Sequence, residues 1–333
     1  MFICLKQRHD IYQMRGNYYH PHPIVFFPLI PYAFLNYKAH EGIYPFYASF
    51  KVTHKCSLKC SFCNVWMEKT KDLSKKDVFK VFDTISNSSI ILVSIEGGDP
   101  LMRKDLGEIL EYAYTKPFYL FFTTNGDLLD KRPMKEYGKH IDYLHISIDE
   151  EHGNLDYFER LEEFQSYGPE ICIQSVVTKD TLNVIEDKVK HVHKVGARIV
   201  VMPATHLDGT DDFYPDTKKF RDEILRLKKK YINTITTPNG YLNNINKAHG
   251  CSASSVIIDS DGELFYPCRT IGTRLFNFTN GSFMEFLKTN EAKKARSDMQ
   301  KCSRCCGWYQ YFATDVFSSP ASILSSMSPY LFK

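Results

Sequence analysis

From residue 47 to about residue 203, short β-branched and aromatic runs alternate with stretches whose apolar positions recur at helical spacing. Six runs read as strands: YASFKVT (47–53), SIILVSI (89–95), FYLFFTT (118–124), IDYLHISI (141–148), ICIQSVV (171–177) and ARIVVMP (197–203). Helix signals stand between them. Ser74 with Asp77 three residues on opens a helix carrying Val78, Phe79, Phe82 and Ile85. The helix of residues 181–195 stops at Gly196, a glycine cap. Strands alternating with helices build βα units on a parallel sheet. The pattern predicts an α/β fold, a partial (β/α)6 barrel, because six units are too few to close an eight-stranded one. In such folds ligands gather at the C-terminal ends of the strands.

Outside this repeat the patterning changes. Residues 1–46 interleave Tyr18, Tyr19, Phe26, Phe27, Tyr32, Phe34, Tyr37 and Tyr44 with five prolines. The segment reads as a wrap over the barrel, with a surface for a membrane or an apolar substrate as the alternative, since aromatic side chains suit half-wet interfaces. The barrel is expected over residues 47–205. A connector with one charged helix, roughly Thr217 to Tyr231, runs on to about residue 250, a cysteine-rich module of β-hairpin plus helix fills 251–312, and 313–333 form a tail.

Composition narrows the function. A formal net charge of +3 over 333 residues is too small to argue for nucleic acid, and Lys228 to Lys230 read as a solvated helix face. No run approaches the ~18 apolar residues of a membrane span, and MFICLKQRHD lacks the order of a secretory signal, which predicts a cytosolic protein. Ten cysteines in such a protein read as metal ligands or catalytic groups rather than disulfides. Three fall in one eight-residue run and five lie from Cys251 onward. Cys4 and Cys172 stand alone, and Cys172, in an apolar run, reads as a buried inert thiol.

Cys56, Cys60 and Cys63 form a C-x3-C-x2-C loop directly after the first strand. Three thiolates can hold three irons of a cubane and leave the fourth without a protein ligand. The alternative is a zinc site with His54 as fourth ligand. The loop, with Phe62 just before its third cysteine, resembles the signature of the radical S-adenosylmethionine (SAM) superfamily. The resemblance implies a 4Fe-4S cluster that chelates SAM, cleaves it reductively and releases a 5'-deoxyadenosyl radical, with Phe62 against the adenine.

Later loops extend the resemblance. Gly97-Gly98-Asp99-Pro100 after the second strand is similar to the family's GGEP motif, which binds the SAM amino group, with Asp99 replacing the usual glutamate. Thr124 and Asn125 after the third strand, and Ser147 and Asp149 at the fourth, match family positions near the SAM methionine and ribose, although Glu150 stands where glycine often follows. A tight turn and a helix cap are the plain structural alternatives for these two groups. Ser175 on the fifth strand is a weaker expectation for the SAM carboxylate.

In the C-terminal module, Asp261-Gly262 between VIID and ELFY reads as a hairpin turn with Cys251 and Cys268 at its open end; a helix of about 282–296 and then Cys302-Ser-Arg-Cys305-Cys306 follow. This order resembles the auxiliary-cluster modules called SPASM and Twitch, and five cysteines fit the one-cluster Twitch form. The resemblance implies a second 4Fe-4S cluster on Cys251, Cys268, Cys302 and Cys305, with Cys306 as the alternative to Cys305; a zinc ribbon stays open, because four thiolates discriminate weakly between metals.

The expected activity is hydrogen abstraction from a peptide or protein side chain, with an electron donor such as ferredoxin or flavodoxin as partner. A lipid or other apolar substrate, met through peripheral membrane contact of residues 1–46, is the alternative. A non-catalytic iron-sulfur electron carrier and a zinc-stabilised binding module are the rivals of other classes. No general acid or base stands out; Tyr309 and Tyr311 read as packing residues.

Overall fold

A computed structural model describes residues 43–204, 213–245, 250–251, 253–304 and 306–312. Most of the aromatic N-terminal segment, Cys4, Cys305 and the tail 313–333 lie outside the described residues.

Among the described residues nine strands form one open sheet in the order β6-β5-β4-β3-β2-β1-β7-β8-β9. The strands are β1 Tyr47–Thr53, β2 Leu92–Gly97, β3 Tyr119–Thr124, β4 Tyr143–Ser147, β5 Glu170–Val177, β6 Arg198–Pro203, β7 Ser255–Ile258, β8 Glu263–Tyr266 and β9 Thr273–Asn277. The α-helices are α1 Lys75–Ser86, α2 Leu106–Tyr114, α3 Met134–Tyr137, α4 Leu161–Gln165, α5 Ile185–Lys194, α6 Thr217–Lys230, α7 Asn239–Asn244, α8 Phe283–Phe286, α9 Asn290–Gln300 and α10 Tyr309–Phe312. The six βα strands pair in parallel, as their patterning predicts. The fold is an open α/β sheet, with no closed barrel.

Alternation along the strands sets two faces. Ala48, Phe50 and Val52 of β1 and Val93 and Ile95 of β2 are fully buried with the helical residues Val78, Val81, Phe82 and Ile85. Phe50 meets Phe82 edge to face at 5.7 Å. Each such ring contributes roughly 1.5–3 kcal/mol by burial. Phe79 is only partly buried and stacks on Tyr112 at 3.8 Å. On the opposite face Tyr119, Tyr143, Cys172 and Val200 form a second cluster, with Leu92, Phe121, Met202 and Tyr309 against it. Burial pushes the Cys172 thiol up to about 12.

Local differences from the sequence pattern have local causes. The strand expected at 89–95 forms at Leu92–Gly97. Ser88 and Ser89 are used in leaving α1: Ser88 Oγ donates to Ile85 O, Ser89 Oγ donates to Pro45 O, and Ile91 N–H donates to Phe46 O. The helix expected at about 282–296 is two helices, because Thr289 caps a new one, accepting from Ala292 N–H. The hairpin of β7 and β8 does not stand apart from the sheet. β7 pairs in parallel with β1, and an unanticipated third strand, β9, pairs antiparallel with β8. Among the described residues no helix is long and apolar enough to cross a membrane.

Candidate active site

Parallel pairing of β1 to β4 brings every motif that follows a strand to one end of the sheet. The cysteine loop leaves β1 there, closed by Cys63 N–H donating to Cys60 O at 3.1 Å. Cys60 is buried; Cys56 and Cys63 are partly so, and burial pushes both of their thiols up. Cys63 is near enough to act electrostatically on Cys56, and Cys60 on Cys63.

The glycines at the end of β2 make this loop possible. A Cβ on Gly97 would lie 2.2 Å from Thr53 O, and one on Gly98 would lie 2.3 Å from Lys55 O and 2.5 Å from His54 O. The close approach these glycines permit is therefore to the chain that feeds the cysteine loop. Gly98 N–H donates to Thr53 O and Asp99 N–H to Lys55 O, both at 2.8 Å. Asp99 is fully buried, and its carboxylate accepts from Leu101 N–H at 2.9 Å and from Thr124 Oγ at 3.1 Å. That use as a cap for the turn at Pro100–Met102 follows from its short side chain. Burial pushes its pKa up to about 6.

Asn125, after β3, points Nδ2 at Cys56 Sγ, 3.4 Å away. Its Oδ1 accepts from Asp127 N–H at 2.9 Å, so the tight turn and the contact with the cysteine loop coexist. At the end of β4, the Ser147 carbonyl accepts from Asn154 Nδ2 at 2.8 Å. Asp149 is fully buried and braces β4 against β5, accepting from Val176 N–H at 3.0 Å. It also holds His152, whose Nδ1 is 2.7 Å away. His152 lies beside the Cys60 thiol and meets the Phe62 ring at 6.0 Å. Burial opposes a charge on His152, but Asp149 and Cys60 outweigh it and raise its pKa to about 10. No sequence reading singled out His152; its signal was the spacing of three residues from Asp149. Ser175, by contrast, is turned to the helix layer with Ile173 and Val177, 3.4 Å from Lys188 Nζ of α5.

A second group of thiols forms at the C-terminal module. Cys302 lies near enough to act electrostatically on Cys268, and both act on Cys306; burial raises the Cys268 and Cys306 thiols. Cys251 N–H donates to Met299 O, three residues before Cys302. Tyr311 is buried and its hydroxyl accepts from Arg269 N–H at 3.1 Å.

Residues 50–154 match the family model described as Radical SAM superfamily. A GTP 3',8-cyclase of Aliarcobacter butzleri is 28% identical over 162 residues, 46% of this chain and 45% of that protein. A PqqA peptide cyclase of Granulibacter bethesdensis is 28% identical over 102 residues, 29% of this chain and 27% of that protein. The chain thus spans less than half the length of these curated relatives. Among solved structures, the protein anSMEcpe with bound AdoMet and a Cp18Cys peptide has a TM-score of 0.62 at 19% identity, covering 81% of this chain and 88% of that one, a likeness of fold. Cysteine spacing, an open parallel sheet and the family match agree that residues 50–154 of this chain form a radical SAM domain.

Proposed function

We propose that this chain cleaves SAM reductively at the loop of Cys56, Cys60 and Cys63 and uses the radical to modify a peptide or protein side chain. The observation that carries the reading is the convergence of three thiols at the C-terminal end of β1, each beside a polar or cationic partner. Three thiols from one loop fit a cubane with one iron left open. When bound, the cluster and SAM supply the electron transfer and the radical, chemistry that belongs to the cofactor.

The chain's own residues position and enclose. Gly97 and Gly98 let the β2 turn lie against the backbone entering the loop. Asn125 donates toward Cys56, and Asp149 fixes the ring of His152 against Cys60 and Phe62. Cys251, Cys268, Cys302 and either Cys306 or Cys305 would hold a closed second cluster; the shared neighbourhood of Cys268, Cys302 and Cys306 supports this. A ferredoxin or flavodoxin would deliver the electron. The peptide reading is supported by the peptide bound in one structural neighbour and the peptide named for one relative.

Anaerobic reconstitution followed by dithionite and SAM tests the reading. Wild-type protein is predicted to form 5'-deoxyadenosine, and Cys60→Ala to form none. No product from the wild type removes the proposal; equal product from Cys60→Ala removes the assignment of the cysteines.

A further inference from the structure

Because β7 runs parallel to β1, Asp259 at the end of β7 arrives beside His54 at the end of β1. Asp259 Oδ1 lies 2.5 Å from His54 Nε2, and His54 Nδ1 lies 3.7 Å from Glu68 Oε2. Glu68 Oε1 in turn accepts from Arg269 Nη2, and Arg274 Nη2 lies 3.1 Å from Asp259 Oδ2. The ligand-type atoms of His54, Glu68 and Asp259 fall within 4.8 Å of one another, which invites a cation. The arginines argue against one: each carboxylate already carries a guanidinium, so a divalent ion would enter between two positive charges. The series Arg269, Glu68, His54, Asp259, Arg274 is a clamp in which each side chain lies against the next.

What the clamp joins follows from sequence position. His54 and Glu68 bracket the loop of Cys56, Cys60 and Cys63, whereas Asp259, Arg269 and Arg274 belong to β7–β9 and their turns, and Arg269 directly follows Cys268. The Arg269 guanidinium reaches back across the Phe265 ring, 5.1 Å from its centroid, to meet Glu68. Its side chain is 9% exposed, and Nη1 is buried without an acceptor among the described residues. Leaving such a donor unmet is costly, and more so for a charged group. Lys51, which is buried, and Arg269 are cations that act on Cys63. A cluster on that thiolate would add negative charge within reach of both cations.

We propose that Arg269 is a positioning residue for the cluster held by Cys56, Cys60 and Cys63: anchored on Glu68 and carried by the segment that carries Cys268, it sets positive charge beside Cys63 and makes the reduction potential of the first site depend on the hairpin. The inference rests on the proposed reading of those three cysteines. Positive charge near a cluster favours its reduced form, which bears one more electron. Losing the arginine lowers the potential, and losing its counter-ion Glu68 raises it.

The test is a reductive titration of the reconstituted full-length protein, followed by electron paramagnetic resonance, with the SAM-responsive signal reporting the first site. At a poise where the wild type is half reduced, R269Q is predicted to lower the ratio of reduced to oxidised cluster roughly tenfold, equivalent to about 59 mV for one electron. R269K, which keeps the charge, stays near the wild-type ratio, and E68Q moves it in the opposite direction. A purely structural role would alter iron content or melting temperature and leave the potential unmoved. Wild-type potentials in fully loaded R269Q overturn the proposal. Should R269Q not load iron, an unmoved potential in E68Q overturns it equally. A wild type with no SAM-responsive signal would instead overturn the parent reading of the three cysteines, and this inference with it.

Discussion

At the scale of single residues, the site is built from side chains with two obligations. Asn125 closes its own turn through Oδ1 while Nδ2 faces Cys56, and Asp149 braces two strands while it holds His152. Gly98 donates its N–H to Thr53 O and also has a steric duty, which is strict: with backbone carbonyls 2.3 and 2.5 Å from its missing Cβ, nothing flexible can yield. Gly98→Ala is predicted to cost about 1–3 kcal/mol by overpacking, and to lower iron content at the first site, read by a denaturant melt and an iron assay.

A second residue-scale prediction concerns His145, on the face opposite the helices, stacked on Phe121 at 5.6 Å and edge-on to Tyr143 at 5.1 Å. Burial lowers its pKa from 6.5 to about 3. The folded state therefore keeps it neutral. Its contribution to stability is complete above pH 6.5 and is lost as pH falls from there toward 3, by at most about 1.4 kcal/mol per pH unit. Melting temperatures measured from pH 7 to pH 5 should fall more steeply for the wild type than for His145→Gln. Parallel slopes would remove His145 from the acid response.

At the scale of elements, helix starts and strand ends carry the geometry. Ser74 begins α1, accepting from Asp77 N–H, and α1 buries Val78, Val81, Phe82 and Ile85 against the sheet. Ser74→Ala is predicted to destabilise the protein by about 1 kcal/mol in chemical denaturation, with no change in the cysteine loop that precedes the helix. The cap and the boundaries of β1 were legible in the sequence because both are local: a serine with a carboxylate three residues on, and an uninterrupted β-branched and aromatic run. The shift of β2 was not, since it depends on Ser89 reaching Pro45 across the fold. The pairing of His54 with Asp259, 205 residues apart, was equally invisible, because it requires β7 to add beside β1. The glycine pair was visible as a place of close approach, but its partner was not: the neighbour is the cysteine loop's own backbone.

At the scale of the whole molecule, one continuous sheet joins what the sequence separates. Through β7 beside β1, the segment bearing Cys268 joins the sheet of the strand that launches Cys56, Cys60 and Cys63. The sequence order of motifs made the two thiol groups legible, and only the topology shows that they share a sheet. In the proposed division of labour, the first group would present an open iron to SAM and the second would hold a closed cluster. The most direct test is the electron paramagnetic resonance spectrum of the dithionite-reduced, reconstituted protein before and after SAM is added. The predicted result is a SAM-induced change in the wild type and in Cys302→Ala, and none in Cys60→Ala; a wild-type spectrum indifferent to SAM, or a change that survives in Cys60→Ala, would contradict it.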